Sequence, residues 1–344
     1  MRGTEACAAS VYGQDAPRAP RRHPRTPDCA CAASAAQALR DLGLRLPELA
    51  PYQAEPPQMV SGAVGKQGYL RLEFERDPIS GRTILSDMDR RVPLLAQKAL
   101  YWDESQPDMA CVTTISTSGC VVQGDRLALA VRVGPGARAL VTTQSATKVH
   151  SMEHNYASQL QTLRVQEGGY LEYLPDPLIL HRTARYLMDT HIVLPASATL
   201  LYGEVLLPGR RYHHPDELFG FHLFSSNITA AREAGGDPLF VERFVLEPGR
   251  MDFGKVGIMG PFEVFGNVLA LTPARHLDAL RDGIGADFRP NLAWGATVLP
   301  HDAGLLFKVL GLNTESVRAK IREFHAVVRR VVLGTELPED FLWR

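Results

Sequence analysis

Three acidic residues occupy positions from which a carboxylate could point into the protein. Asp125 follows a glycine at the entrance of a predicted strand. Glu172 and Glu242 alternate with apolar residues such as Leu174 and Phe244, so both would be buried if those faces point inward. A buried carboxylate is costly unless it is paired with a cation or bound to a metal ion. The local sequence therefore favours turn hydrogen bonds for Asp125 and salt bridges for the two glutamates. Arginines near enough in sequence to form these salt bridges are Arg164, Arg182, Arg243 and Arg250.

The histidines form weaker metal-binding patterns. His213 and His214 are adjacent in a polar loop, and imidazole pairs can bind nickel or zinc, but exposed loop surface is the favoured interpretation. His150 and His154 would share a face only in a helix, whereas their surroundings favour strands. No histidine metal site is therefore predicted.

The cysteines are odd in number and irregularly spaced, so the sequence predicts no disulfide framework. They are Cys7, Cys29, Cys31, Cys111 and Cys120. The spacing of Cys29-x-Cys31 is too short for the usual zinc knuckle. Cys111 and Cys120 flank a predicted strand and turn, where a small buried side chain is expected more than a metal ligand.

No catalytic motif stands out in the sequence. It contains no G-x-S-x-G elbow, no phosphate-binding loop and no dinucleotide fingerprint. A protein without enzymatic activity is therefore predicted. A β-rich hydrolase that uses two carboxylates, as glycosidases do, stays open as the alternative.

Composition excludes some partners and locations. The 344 residues carry a formal net charge of -1, which gives no overall field favouring nucleic acid or an anionic membrane. No apolar run approaches the roughly 20 residues that span a bilayer, and the start of the chain does not resemble a signal peptide. We therefore expect a cytoplasmic protein that binds neither nucleic acid nor membranes.

The first 67 residues differ in composition from the rest. Prolines and arginines interleave between Pro17 and Pro27, and a short Ala-rich stretch follows at residues 32–42. Such a segment buries little apolar surface, so residues 1–67 are predicted to be a disordered extension. Residues 68–344 are predicted to form one β-rich domain.

Alternating apolar residues dominate from Gly68 onward. Leu70, Leu72 and Phe74 alternate with charged residues, as in a half-buried strand, and the pattern recurs over residues 127–133. Gly134-Pro135-Gly136 predicts a turn that leads into a returning strand. Many short strands at even spacing favour a mainly β fold, either a sandwich or a layered, β-helix-like body.

Helical patterns are found only towards the C-terminus. Thr272-Pro273 predicts the start of a helix over residues 274–282. Asn313 or Thr314 can cap a second helix that runs to about Val332 and carries one apolar face. We expect that face to dock on the β core of this chain, and a partner-binding face is the alternative.

A series of short motifs occurs in a recognisable order. It comprises Gly68-Tyr69-Leu70-Arg71-Leu72, Arg82-Thr83-Ile84-Leu85, Val92-Pro93-Leu94, Ser118 to Asp125, Thr142 to Lys148, Leu171 to Asp176, Gly203-Glu204, Gly209-Arg210 and Pro238 to Arg243. In this succession the chain resembles the UreD family of urease accessory proteins, called UreH in some bacteria. The resemblance runs from about Gly68 to the C-terminus.

The resemblance implies a function that the residues alone do not. Members of this family look like cytoplasmic metallochaperone scaffolds that act with the accessory protein UreF and the GTPase UreG. That complex docks on apo-urease and assists nickel insertion, so the chain would be oligomeric only within it. An internal passage is proposed to carry the metal. The resemblance therefore implies transient nickel(II) and no permanently bound cofactor.

Three residues match family positions linked to that passage. They are the aspartate of the G-D motif, the hydroxyl residue before the lysine and the glutamate of the V-E-R motif, here Asp125, Thr147 and Glu242. The chain departs from the family at the glycine-rich motif, where Ser118, Cys120 and Gln123 replace glycines or a proline. Weak oxygen ligands suit a passage, because a transported ion must be released as well as bound.

Overall fold

Alternating and continuous apolar runs fold into two β-sheets, and the computed structural model describes residues 37–55 and 64–338. Both sheets belong to one unit, Leu39–Arg344. In chain order, the strands of the described residues are β1 Gln67–Arg76, β2 Thr83–Arg91, β3 Leu94–Ala96, β4 Ala110–Ser116, β5 Arg126–Val133, β6 Arg138–Thr143, β7 Thr147–Val149, β8 Ala157–Val165, β9 Tyr170–Tyr173, β10 Leu178–Leu180, β11 Arg185–Val193, β12 Thr199–Leu207, β13 Leu223–Ala231, β14 Pro238–Leu246, β15 Val264–Leu271, β16 Asp287–Phe288, β17 Leu292–Val298 and β18 Gly304–Gly311.

Between β4 and β13 the chain crosses repeatedly from one sheet to the other, and part of each sheet consists of parallel neighbours. The seven-stranded sheet has the order β14-β13-β11-β8-β5-β1-β2, in which β1, β5, β8, β11 and β13 are parallel neighbours. The eleven-stranded sheet has the main order β16-β17-β18-β15-β12-β9-β6-β4-β3, with β7 and β10 joined beside β12. This arrangement confirms the predicted mainly β fold, in its layered, β-helix-like form.

The turn at Gly134–Gly136 shows how the layers arise. Gly136 adopts a φ of +62°, which a glycine tolerates without strain. The next strand, β6, does not return beside β5 but crosses to the opposite sheet, where it pairs in parallel with β4 and β9. The turn was predicted correctly, and the strand after it belongs to the other layer.

The main core lies between the sheets. Leu70, Leu72 and Phe74 of β1 are buried there, and Val131 and Val133 of β5 pack beside them. Each fully buried side chain of this size stabilises the fold by about 1.5–3 kcal/mol. The period-2 pattern of the sequence therefore marks the face of β1 that builds the core.

The predicted late helices are confirmed. Helix α1 spans Leu277–Ile284, after a 3₁₀ turn at Ala274–His276. Helix α2 spans Thr314–Val328 and continues as a π-helical turn, Arg329–Leu333. The side chain of Asn313 caps α2 by accepting a hydrogen bond of 2.8 Å from the Ser316 backbone N–H. Further 3₁₀ turns in the described residues are Pro47–Tyr52, Pro215–Glu217 and Pro300–Asp302.

The apolar face of α2 docks on the eleven-stranded sheet, as expected. Val317, Phe324 and Val328 are fully buried. The Phe324 ring stacks on Phe307 of β18, with ring centroids 4.6 Å apart. This face is therefore part of the core of the chain itself.

Part of the segment predicted to be disordered lies against the seven-stranded sheet. Leu49 is fully buried and packs with Tyr156 and Leu187. The Glu48 carboxylate accepts hydrogen bonds from Ser225 Oγ at 2.9 Å and Arg243 Nη2 at 2.7 Å. The proline–arginine run, Cys29-x-Cys31 and the start of the Ala-rich stretch lie outside the described residues. Within the described part, no helix has the length and apolar character needed to cross a membrane.

Candidate functional site between the two sheets

A cavity of about 240 Å³ lies between the two sheets. Its apolar wall includes side chains of both sheets, among them Leu70, Leu129, Met188, Phe224 and Phe265. Polar side chains interrupt this wall, and they include Gln144, Thr147, Lys148, Gln159, Gln161, Asp176 and Glu204. An apolar enclosure with a few placed polar groups is the usual form of a binding site.

Glu204 is the acid that β12 places in this cavity. Strand alternation puts Glu204 on the same side of β12 as Tyr202, whose hydroxyl donates a hydrogen bond of 2.8 Å to Glu204 Oε1. Ser226 Oγ donates to the same oxygen at 3.3 Å, and Asn267 Nδ2 donates to Oε2 at 3.4 Å. Burial raises the pKa of Glu204 and the charge of Glu242 adds to this rise, while the three hydrogen bonds oppose it.

Glu242 reaches the same region from β14 of the opposite sheet. Its Oε2 accepts a hydrogen bond of 2.7 Å from Asn267 Nδ2, and its Oε1 accepts one from the Lys308 ammonium. Asn267 therefore bridges Glu242 and Glu204. Among the described residues, the fully buried Asn267 Oδ1 has no hydrogen-bond partner.

The three residues that match passage positions of the family lie in different surroundings. Thr147 lines the cavity, and Glu242 lies one side chain behind Glu204, across Asn267. Asp125 is fully buried in a turn, where its two oxygens accept hydrogen bonds from Lys66 N at 2.8 Å and Val122 N at 3.0 Å. The structure thus brings Glu242 close to the cavity and holds Asp125 in the turn.

The charge of Asp125 contributes to the raised pKa of one residue on the cavity wall. Burial raises the pKa of Asp125 itself, against the lowering effect of the two backbone hydrogen bonds. Tyr186, a cavity-lining residue, has its pKa raised by burial and further by the charges of Tyr173 and Asp125. Whether Asp125, Thr147 and Glu242 serve a metal passage stays a prediction.

The expected salt bridges exist, but their cationic partners were predicted wrongly. Glu172 pairs with Arg329 from the end of the last helix, while Glu242 pairs with Lys308. Arg243, one of the arginines proposed for this role, pairs with Glu48 instead. Sequence proximity failed because Lys308 lies on β18 and Arg329 follows the last α-helix, so both cations are far along the chain from the glutamates.

The histidine loop behaves as ordinary surface. His214 Nδ1 accepts a hydrogen bond of 3.2 Å from the Asp216 backbone N–H and caps a short 3₁₀ turn, and His213 beside it is exposed. In the described residues, no three His, Cys, Asp or Glu side chains converge as a metal site.

Sequence reasoning missed two residues near the cavity. Glu204 was noted only as part of the Gly203-Glu204 motif, although it is the lone acid in the otherwise apolar strand Thr199–Leu207. His181 follows the short strand β10 and is buried beside His150. A charged residue within an apolar strand was a usable signal for Glu204, whereas nothing local distinguished His181.

Comparison with known proteins identifies the family. Residues 66–344 match the sequence profile described as UreD urease accessory protein. A urease accessory protein UreD of Yersinia pseudotuberculosis serotype O:1b (strain IP 31758) is 55% identical over 305 residues, covering 88% of this chain and 94% of the relative. That of Photorhabdus laumondii is 53% identical over 312 residues, covering 90% and 96%. Urease accessory protein UreD 2 of Brucella suis biovar 1 is 47% identical over 298 residues, covering 86% and 98%.

These comparisons decide between the two classes of function. The relatives are named accessory proteins and not enzymes, which confirms the prediction of a non-enzymatic chain. The hydrolase alternative gains no support, because Glu172 and Glu242 are each held by a cation. The profile match over residues 66–344 and the identities of 47–55% confirm the resemblance seen in the motifs, and the chain belongs to the UreD family of urease accessory proteins.

Proposed function

We propose that this chain is a metallochaperone scaffold that passes nickel to apo-urease through the cavity between its sheets, in a complex with UreF and the GTPase UreG. The family membership supports a role in urease maturation. The main observation in support of the passage is that Glu204, a carboxylate on the cavity wall, has no cationic partner among the described residues.

The other acids near the cavity differ from Glu204 in this respect. Asp176 also lines the cavity, but Arg318 neutralises it at 3.1 Å. Glu242 is paired with Lys308. Glu204 has only neutral hydrogen-bond donors around it, so it is the carboxylate best able to attract a passing divalent cation.

The chemistry of the cavity suits transport more than storage. Nickel accepts oxygen ligands, and the Thr147 hydroxyl and the amide oxygens of Gln159 and Gln161 line the same space. Because the pKa of Glu204 is raised, an arriving cation competes with a proton for this carboxylate. Because the cavity offers few ligands and a proton competes for Glu204, nickel binds weakly enough to be released again.

The charge of Glu204 is tested with Glu204→Gln, which keeps the shape of the side chain. Cells expressing a urease operon with this variant should yield urease with several-fold less nickel, measured by metal analysis of the purified enzyme. Glu75→Gln, which alters an exposed acid on β1, is the matched control and should leave nickel content unchanged. Pull-down of UreF, UreG and urease checks that the complex still assembles. Normal nickel content with Glu204→Gln would refute the role of Glu204.

The passage itself is tested by filling the cavity. Thr147→Phe places a ring in the space between the sheets, whereas Thr297→Phe places one at the exposed position of β17. We expect only the first variant to lower urease metallation while complex assembly persists. Equal metallation by both variants would exclude a route past Thr147.

A further inference from the structure

His181 is a buried imidazole without the hydrogen bonds that burial normally demands. Its side chain belongs to a residue only 5% exposed, and among the described residues neither ring nitrogen has a hydrogen-bond partner. A buried polar group left unpaired carries a cost in stability. A bound ion or water molecule that contacts the imidazole would remove this cost.

A second imidazole lies beside it. His150 and His181 directly follow the paired residues Val149 and Leu180 of β7 and β10, and their ring centroids are 5.4 Å apart. Backbone hydrogen bonds fix both positions, from His150 N to Val121 O at 2.8 Å and from His181 N to Val149 O at 2.9 Å. Two imidazoles that bind one ion through nitrogens at about 2.1 Å have ring centroids roughly 5 Å apart.

The geometry points to a two-histidine site for a divalent transition-metal ion, formed by His150 and His181. Imidazole is a favoured ligand of nickel, zinc and copper. His150 Nδ1 lies 3.2 Å from the Ser151 carbonyl oxygen. In the tautomer that donates to this oxygen, the lone pair of His150 is on Nε2, where it is available to a metal.

The charges around His181 suit reversible binding. A metal binds the neutral form of an imidazole, and Arg210 supplies positive charge near His181. Arg210 is held by Glu217, whose negative charge partly offsets it. Lys148 remains as a nearby positive charge, which weakens the attraction for a cation and favours its release.

The location connects this site to the cavity. Thr147 and Leu178 form the first pair of the β7–β10 ladder and line the cavity. The histidines lie three residues further along, about 10 Å away at the usual rise of a strand. His150 is exposed, so an ion can reach the pair from solvent. The use of the two-histidine site as an entrance to the passage rests on the proposed function, whereas metal binding at this site does not.

Metal binding is tested on the full chain with nickel chloride alone. His150→Gln and His181→Gln should each weaken nickel binding by about tenfold or more and lower the histidine nitrogen scattering in the nickel X-ray absorption spectrum. His213→Gln with His214→Gln is the matched control pair and should change neither. Because His150 is exposed, the His150→Gln variant should lose a ligand without losing the fold. A thermal melt of this variant checks that it is folded.

The outcomes separate this site from the proposed function. Unchanged nickel affinity and an unchanged spectrum in the His150→Gln variant would overturn the two-histidine site. Equal losses in the His213/His214 control would also overturn it. If Glu204→Gln and Thr147→Phe both leave urease metallation normal while His150→Gln still weakens nickel binding, the passage fails and the histidine site stands.

Discussion

Arg329 donates hydrogen bonds from Nε and Nη2 to the two carboxylate oxygens of Glu172, and both side chains are fully buried. Arg329 Nη1 also contacts Asp103, and His325 Nε2 lies 2.9 Å from Glu172 Oε1. Burial alone would raise the pKa of Glu172, but the charges of His325 and Arg329 lower it well below its ordinary value. This network ties the end of the last helix to β9.

Breaking this network should destabilise the protein strongly. Glu172→Gln leaves the buried Arg329 guanidinium with less negative charge to balance it, at a cost of about 3–5 kcal/mol. Urea denaturation followed by circular dichroism measures the change. Glu336→Gln, which breaks the exposed Arg330–Glu336 pair, is the control and should leave the midpoint close to that of wild type. Equal midpoints for the two variants would contradict the importance of the buried pair.

The same pair predicts a pH dependence. The folded-state pKa of Glu172 is lowered from the ordinary value of 4.5, so its contribution is complete above the unfolded-state pKa and is lost as the pH falls towards the folded-state pKa. We therefore expect the difference in melting temperature between wild type and Glu172→Gln to shrink as the pH falls below about 4.5. Melting curves between neutral and acidic pH measure this difference. A constant difference would show that the charge of Glu172 does not cause it.

Local signals were enough to predict several elements of this fold, although not the strands β15, β17 and β18. Alternation along Leu70–Phe74 identified β1, and the capping residue Asn313 identified the start of α2, because strand faces and helix caps are encoded by neighbouring residues. The assignment of strands to sheets is not local. The strand after Gly134–Gly136 pairs in the opposite layer, and its partners β4 and β9 are set by the whole stack.

The candidate site was predictable only in part. Thr147 was selected through the family resemblance and lies on the cavity wall. Arg329 could not be matched to Glu172, because 157 residues separate them and several arginines are nearer in sequence. Glu204 and Glu242 meet through Asn267 because the two sheets face each other, a relation that no local pattern contains.

The turn around Asp125 makes a separate prediction. Asp125→Asn replaces one carboxylate oxygen by an amide that cannot accept a backbone N–H, so one of the hydrogen bonds from Lys66 N and Val122 N is lost. We expect a loss of about 1–3 kcal/mol in the free energy of unfolding, measured with urea. The exposed Asp108→Asn is the control. If Asp125→Asn keeps wild-type stability but lowers urease metallation, Asp125 acts in the passage and not in the turn.

The docking of α2 depends on a glycine in β15. A Cβ atom at Gly266 would lie 2.9 Å from Ile321 Cδ1 and 3.0 Å from Val317 Cγ1, so Gly266→Ala requires these side chains or the helix itself to shift. Such overpacking costs about 1–3 kcal/mol. A Cβ at Gly295 of β17 would meet Ala286 at 3.7 Å, an ordinary contact, which makes Gly295→Ala the matched control. Thermal melts compare the two, and equal melting temperatures would show that the contact with α2 is loose.

The charge of Glu242, which lies on the far side of Asn267, should affect the pKa of Glu204. Its charge contributes to the raised pKa of Glu204, so Glu242→Gln should lower the pKa of Glu204. Carboxyl carbon NMR of glutamate-labelled protein measures this shift. Glu247→Gln, at an acid that Arg250 pairs with, is the control and should leave the pKa of Glu204 unchanged.

The same variant should also act on metallation. With a lower pKa, Glu204 is ionised more fully, but the passage loses one of its two adjacent carboxylates, and the Lys308 ammonium loses its partner. An unpaired cation on the far side of Asn267 from Glu204 repels an incoming divalent ion, so we expect Glu242→Gln to lower the nickel content of urease while folding and complex assembly persist. The double variant Glu242→Gln/Lys308→Met removes that cation and should recover part of the loss. Without such recovery, repulsion by Lys308 is not the cause.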